Sequence, residues 1–212
     1  MIDFLPYKIG ANIPESMKIP PSAKPDEYEL TYNLKNKKTG KTKVMTDKEY
    51  MKTGIWKDNN WEVAGDPVSR LVKKGFSPKI VDLNISDMQG NDYTQELMAN
   101  PFYNVVIVAY NINNADVDAM IKLNTLALNL AENFNARTVL LTSNSAQDVM
   151  KFTAANKLVY LEPFFADAVP LKSMVRSNPG VLLLKNGTVI NKWHYHTLPT
   201  YDELVKQYFQ QQ

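Results

Sequence analysis

The sequence predicts an α/β protein: a three-layer α/β/α sandwich preceded by a β-hairpin extension. Two near-continuous apolar runs, "NVVIVAYN" (104–111) and "RTVLLTS" (137–143), are typical of strands buried on both faces. Each run is followed by a segment with helical spacing of its apolar residues, and strands joined through helices lie parallel. Two further strands, joined around Asn186-Gly187, form a hairpin near the end of the chain.

The N-terminal third divides into two predicted segments. Residues 1–27 hold five prolines, which disfavour helix, and we expect an extended arm or linker. Residues 28–78 are expected to form a β-rich cap that packs on the main domain. Its first part alternates apolar and polar residues and turns at Gly40, as a hairpin does.

Residues 79–212 are expected to form the main domain. It should open with a strand around "IVDLNIS", a turn at Gln89-Gly90 and a short helix with Asp92 as N-cap. The stretch 114–134 predicts an amphipathic helix. Ser145 is expected to cap the next helix, and Thr200 with Glu203 to form the capping box of the last.

Composition excludes several classes of function. The chain has 24 basic and 22 acidic residues, so no polyanionic partner is indicated, and we expect no nucleic-acid binding. The lysine-rich hairpin "LKNKKTGKTK" is interpreted as a solvated surface. With no cysteine, disulfides, thiolate metal sites and cysteine nucleophiles are excluded. No apolar run reaches the ~18 residues that span a bilayer.

The stretch "RSNPGVLLLKNGTVINKWHY" (176–195) resembles the thioredoxin fold. In thioredoxins a short helix, a proline, a buried strand and a Lys-Asn-Gly turn recur at the spacing found from Pro179 to Gly187. The resemblance implies a thioredoxin-like sandwich and a cis bond between Asn178 and Pro179. Cis peptide bonds are nearly confined to proline, and a proline that opens a strand costs no internal ladder bond.

The redox cysteines of that family lie at the start of the first long helix. The matching positions here are Asn113, Asn114, Ala115, Asp116 and Val117, and none is a cysteine. The missing cysteines exclude thiol-disulfide exchange at this position, but they do not affect the expected thioredoxin-like architecture. The sequence holds no complete catalytic constellation, which favours a protein that is not an enzyme, and no cofactor is expected.

A second resemblance covers nearly the whole chain, including the opening "IDFLPYKIGANIPE" (2–15). The chain is similar to the soluble C-terminal part of bacterial DoxX/MauE-like membrane proteins, in which four membrane helices precede a thioredoxin-like domain. The resemblance implies that the native protein extends N-terminally and is tethered to the bacterial inner membrane, on a side that the sequence leaves open. The proline-rich arm would then be a linker.

His194 and His196 are the two histidines of the chain. On a strand they would share one face, as metal ligands can, with Trp193 and Tyr195 on the other face. No third ligand is apparent, so a polar strand face is favoured over a metal site.

These observations predict a redox-inactive thioredoxin-like module that acts by protein binding. The expected partner is the protein's own membrane segment or another envelope protein, with the oligomeric state left open. The alternative is an accessory domain of a membrane-embedded oxidoreductase, whose thiols or quinone would reside in the membrane part. The candidate binding residues are Asn113, Asn114, Ala115, Asp116, Asn178 and Pro179.

Overall fold

The computed structural model describes residues 6–210 and divides the chain into two compact units. The main unit comprises Met1–Lys18 and Pro78–Gln212, and the inserted unit comprises Ile19–Ser77. The first five residues of the predicted arm lie outside the described residues.

The described part of the N-terminal segment departs from the extended arm that we expected over 1–27. Helix α1 spans Ile13–Met17, and its N-cap residue is Asn12, whose side chain accepts a hydrogen bond from the Glu15 backbone. Pro14 lies in the first turn, where a missing N–H breaks no helical bond. Tyr7 and Ile13 are buried in the core of the main unit, so this segment is part of that unit.

The inserted unit is a four-stranded antiparallel sheet with one short helix. Its elements are β1 (Glu27–Asn36), β2 (Thr42–Thr46), α2 (Asp47–Thr53), β3 (Trp61–Val63) and β4 (Val68–Lys73). Strand β1 pairs with all three others, and the predicted hairpin with its turn at Gly40 is confirmed. Of its large apolar side chains, Leu34 and Met45 are the buried ones.

The main unit is built on a five-stranded mixed sheet. Its strands are β5 (Tyr103–Val108), β6 (Arg137–Thr142), β7 (Glu162–Phe165), β8 (Gly180–Lys185) and β9 (Thr188–His194). They lie in the order β7-β6-β5-β8-β9. Strands β5, β6 and β7 are parallel, whereas β8 and β9 form the predicted antiparallel hairpin. Residues 10–13 run beside the outer edge of β9 and exchange backbone hydrogen bonds with Val189 and Gly187.

Helices cover both faces of this sheet. They are α3 (Thr94–Met98), α4 (Val117–Phe134), α5 (Ala146–Ala155), α6 (Ala168–Met174) and α7 (Tyr201–Leu204), which continues as a π-helical turn over Val205–Phe209. Side chains of α4 and α7 pack in one core cluster with alternate β5 residues, and α3 and α6 contribute to the cluster on the opposite face. This is the predicted three-layer sandwich.

Two predicted details of the main unit are wrong. The stretch around "IVDLNIS" forms no strand: its Ser86 makes only isolated bridges with Asp92 and Phe165. Asp92 does not cap α3, because Tyr93 is the N-cap residue and Asp92 instead accepts a hydrogen bond from the Thr94 backbone at 2.8 Å. The predicted cap at Ser145 and the capping box of Thr200 and Glu203 are confirmed.

Candidate functional site

The candidate site lies where β5 and β6 end and β8 begins. The peptide bond between Asn178 and Pro179 is cis, as predicted. Because β8 is the antiparallel neighbour of β5, its first residues lie beside the turn that follows β5. The structure therefore brings the two predicted halves of the site together.

The turn after β5 is a single 3-10 turn over Ile112–Asn114, followed by Asp116 as N-cap of α4. The Asp116 carboxylate accepts a hydrogen bond from the Ala119 backbone at 2.8 Å, which satisfies an otherwise unpaired helix N–H. The Asp116 backbone N–H donates to the carbonyl oxygen of Asn178 at 3.2 Å. Asp116 and Asn178 are thus in direct contact.

The other predicted residues contribute in different ways. Asn113 and Asn114 are exposed on the turn, so their side chains are available to a partner. Ala115 and Pro179 are buried, and they act through packing rather than as a contact surface.

The Asn178 side chain forms two hydrogen bonds with the backbone of the turn. Its amide nitrogen donates to the Asn111 carbonyl at 2.7 Å, and its amide oxygen accepts from the Asn111 N–H at 3.4 Å. One side chain thereby pairs with both backbone groups of a residue 67 positions away.

Two asparagines outside the predicted set of binding residues complete this arrangement. Asn144, which follows β6, accepts a hydrogen bond from the Ile112 backbone at 2.7 Å. The side chain of Asn111 accepts from the Asn113 backbone at 3.1 Å. A signal for Asn144 existed, since the carboxyl ends of parallel neighbouring strands meet at one edge of a sheet.

Polar groups next to the cis bond are left without partners. Within residues 6–210, the backbone N–H of Asn178 has no hydrogen-bond acceptor. The Ser177 hydroxyl is 6% exposed and likewise has no partner in the described part of the chain. The Ser177 hydroxyl is sealed from solvent, so of the two groups only the N–H of half-buried Asn178 is placed where a ligand group could supply the bond.

A cleft of about 560 Å³ opens beside Asp116. It runs between α4 and residues 195–201, and its apolar lining includes Leu123, Leu126 and Leu198. Asp116 and Tyr195 lie among its polar lining residues. Partial desolvation raises the pKa of Tyr195, and the charge of Asp116 and a hydrogen bond with it raise the pKa further.

The structure changes the expected placement of the histidines. Strand β9 ends at His194, and His196 lies in a 3-10 turn over Tyr195–Thr197, so the two are not alternate residues of one strand. Their rings nevertheless stack, with centroids 5.0 Å apart and planes at 10°. His194 Nδ1 accepts a hydrogen bond from the His196 backbone at 3.2 Å. Among the described residues, no group of three potential ligands forms around them.

Within residues 6–210, none of the helices combines the length and the apolar character needed to cross a membrane.

Comparisons with known proteins bear on the fold. No protein-family model matches the chain, and no curated protein matches it. Yeast Sco1 is similar in structure, with a TM-score of 0.46 and 13% identity over 59% of this chain and 90% of Sco1. The exposed lipoprotein thioredoxin of Streptococcus pneumoniae has a TM-score of 0.46 and 12% identity over 60% of this chain and 97% of its own. The thioredoxin domain of a Bacteroides vulgatus thiol-disulfide oxidoreductase has a TM-score of 0.46 and 14% identity over 59% of this chain and 92% of its own.

At these identities the similarity concerns the fold alone. The strand order β7-β6-β5-β8-β9, with helices packed on both faces, is the thioredoxin-like α/β sandwich that the sequence predicted for the main unit.

Proposed function

We propose that this chain is a thioredoxin-fold module that acts by binding, and that an extended segment of another polypeptide docks at Asn178 and the turn 113–116. The observation that carries the proposal is the backbone N–H of Asn178, which has no acceptor within residues 6–210 and belongs to a residue bonded both to the turn and to Asp116 of the cleft. Thiol exchange within the chain is excluded because the chain has no cysteine to form the attacking thiolate.

The bracing by asparagines supports binding rather than a mobile loop. Three side-chain amides, those of Asn111, Asn144 and Asn178, form hydrogen bonds with the backbone of residues 111–113. A turn fixed in this way loses little further entropy when a partner arrives, and such preorganisation favours affinity.

The open N–H supports an extended partner. Asn178 already accepts from Asp116 through its carbonyl, while its own N–H is available to donate. A partner strand that passes the cis-proline would supply a carbonyl oxygen to this N–H, as in strand addition to an exposed backbone.

The cleft supports a preference in the partner's side chains. Its volume lies within the range of sites that hold small organic groups, roughly 300–1,000 Å³. Leu123 and Leu126 offer an apolar surface, and the acids Asp116 and Asp118 outnumber Lys122 among the charged lining residues. A side chain with an apolar stem and a positive end, lysine or arginine, fits this combination.

A peptide selection tests the proposal. Peptides selected from a displayed random library on the immobilised protein should be enriched in lysine or arginine. In NMR titrations they should shift the backbone amides of 113–116 and Asn178. The Asp116→Asn variant, which keeps the helix cap, should weaken binding about tenfold or more, because a charge-assisted hydrogen bond is lost.

Glu132→Gln is the matched control, since Glu132 is an exposed acid on the same helix outside the cleft. It should bind the selected peptides like the parent. Selected peptides whose amide shifts map elsewhere, or which bind the two variants equally, contradict the proposal.

The partner that we propose is the protein's own membrane portion or another envelope protein, in a chain tethered to the inner membrane. This part rests on the resemblance of the sequence to DoxX/MauE-like proteins. The genomic sequence upstream of Met1 tests it: codons for four apolar helices support the tether, and a promoter with an in-frame stop contradicts it. Cysteines within those helices would favour the alternative, an accessory domain of a membrane-embedded oxidoreductase.

A further inference from the structure

Positive charge is concentrated in one part of the inserted unit. Residues 35–57 contain eight lysines and two acidic residues, a net charge of +6 in a chain whose total is +2. The rest of the chain therefore carries a net charge of −4. All eight lysines are exposed: Lys35, Lys37, Lys38, Lys41, Lys43, Lys48, Lys52 and Lys57.

The fold gathers most of these lysines at one end of the sheet. The β1–β2 turn carries Lys37, Lys38 and Lys41. The Lys37 backbone donates to the Asn60 carbonyl at 2.8 Å, and the first residue of β3 pairs with Asn36. The compact segment 55–60 thus lies beside the turn, and we call this end, residues 35–43 with 55–60, the lysine tip.

Few acidic side chains offset the charge: the tip holds six lysines and one acid, Asp58, whose carboxylate accepts hydrogen bonds from Asn60. Glu62 forms an ion pair with Lys37 at 3.8 Å, with both side chains half exposed, and such surface pairs contribute little. Glu49 is engaged in the capping box of α2. The tip therefore keeps a strong positive potential toward solvent.

Exposed apolar side chains accompany the lysines. Trp56 is 52% exposed in segment 55–60, and Val44, next to Lys43, is 63% exposed. Lys57 Nζ lies 5.1 Å from the centroid of the Trp56 ring. Tryptophan prefers the headgroup region of a bilayer, and clustered lysines are attracted to anionic headgroups.

We propose that the lysine tip docks on an anionic lipid surface. The segment 35–57 contains no arginine, the residue that recognises nucleic-acid phosphates and bases through its planar fork. Lysine is a hydrated point charge that suits a diffuse negative surface, and exposed Trp56 gives the tip a group to insert at the interface.

Vesicle binding by the full chain tests the proposal. Vesicles of phosphatidylcholine with about one third phosphatidylglycerol should sediment the protein, and vesicles of phosphatidylcholine alone should not. Raising the salt from about 0.1 M to about 0.5 M should release it. The triple variant Lys37→Gln, Lys38→Gln, Lys41→Gln should lower the partition coefficient by about two orders of magnitude, given the attraction of each lysine to an anionic surface.

The matched control neutralises three lysines at the other end of β1. Lys24, Lys73 and Lys74 are exposed in the same unit, and β4 places Lys73 opposite Glu27, about 30 Å along β1 from the tip. The triple glutamine variant at these positions has the same net charge as the tip variant. It should retain most of the binding, and equal losses in both variants would overturn the proposal.

Tryptophan fluorescence adds a second readout. Brominated lipids should quench the parent protein, and most of this quenching should be lost in Trp56→Phe, in which half-buried Trp61 next to the tip and Trp193 remain. Tighter binding to a DNA duplex or to polyglutamate than to anionic vesicles at equal salt would assign the tip to another polyanion and overturn the lipid proposal.

Discussion

At the scale of single residues, the candidate site depends on one asparagine in an unusual position. Asn178 precedes the cis-proline and uses its side chain as a substitute for a neighbouring strand, since it pairs with both backbone groups of Asn111. The turn that would carry cysteines in a thioredoxin is therefore held by an amide.

Replacing Asn178 should destabilise the protein. Asn178→Ala leaves the N–H of half-buried Asn111 without a partner and leaves its carbonyl only the Asn114 N–H at 3.2 Å, which costs about 1–3 kcal/mol in the free energy of unfolding. Denaturant unfolding measures the difference. Asn113→Ala is the control: its side chain is exposed, and the substitution should change stability by less than about 0.5 kcal/mol. Equal effects of the two substitutions would refute the bracing role.

Tyr195 should give the site a response to alkaline pH. Its pKa is raised by partial desolvation and then by Asp116, so the folded state holds the phenol proton more tightly than the unfolded state does. The resulting stabilisation is complete below the ordinary tyrosine pKa of about 10 and is lost as the pH rises through the folded value.

NMR titration of labelled tyrosine rings measures this shift. Asp116→Asn should lower the pKa of Tyr195, because it removes the negative charge that opposes phenolate formation. An unchanged Tyr195 titration in that variant would show that Asp116 has no part in the shift.

At the scale of elements, the β8–β9 hairpin is fixed by its turn as well as by its ladder. Gly187 has a φ of +73°, and a Cβ at this position would lie 2.7 Å from the Met98 carbonyl oxygen and 2.7 Å from Pro14 Cδ. The turn is therefore wedged between α1 and α3, and it needs glycine for two reasons.

A pair of alanine substitutions separates the effect of positive φ from the effect of close neighbouring atoms. Gly90→Ala meets only the strain of positive φ, since nothing lies within 4 Å of its Cβ, and should cost about 1–2 kcal/mol. Gly187→Ala adds a clash with backbone and should cost about 1–3 kcal/mol more. Thermal and denaturant unfolding compare them. Equal costs would mean that the neighbours of Gly187 move aside freely.

The elements that the sequence predicted correctly are those whose secondary structure is determined by their own side chains. The apolar runs of β5 and β6 indicate buried strands, because a strand with apolar side chains on both faces must be covered on both faces. Helix α1 was missed because the five prolines of 1–27 dominate its composition, although Pro14 sits where a helix tolerates it. The stretch 80–86 buries Ile80, Leu83 and Ile85 without joining a ladder, a distinction that a hydrophobic pattern cannot make.

The candidate site likewise has features that were predicted from the sequence and features that were not. The positions of Asn178, Pro179 and Asp116 followed from resemblance to a fold, and the structure brings Asp116 and Asn178 into contact. The pairing of Asn178 with Asn111 and the cleft beside α4 depend on residues tens of positions apart in the chain. Such contacts are products of the tertiary fold, and a single sequence holds no local signal for them.

At the scale of the whole molecule, the two units differ in how they are stabilised. The main unit has buried clusters on both faces of its sheet. The inserted unit buries only Leu34 and Met45 among its large apolar residues, although it spans Ile19–Ser77. A single layer with so small a core falls short of what an independent domain requires.

Excising the inserted unit should therefore leave the main unit folded. The chain leaves and re-enters the main unit at nearby points, since the Ile80 N–H donates to the Ser16 carbonyl at 3.1 Å, so a short glycine-serine linker can replace 19–77. Circular dichroism should show cooperative unfolding of the excised protein and none for the isolated 19–77 fragment. A cooperatively folded fragment would contradict the argument from its core.

The same proteins test the expectation that residues 28–78 pack on the main domain, which stays a prediction. If that segment packs there, the excised protein should unfold at a lower temperature than the full chain, and equal midpoints would count against it.

The strand-like course of residues 10–13 beside β9 has a consequence for how the protein is made. Gly10 donates to the carbonyl of Val189, so the first residues of the β9 edge are paired with a segment synthesised long before them. On the ribosome this segment must wait until the C-terminal hairpin has emerged. A nascent chain therefore holds residues 10–13 unpaired while the residues up to β9 are made, and chaperone binding to residues 6–18 should end when β9 is complete.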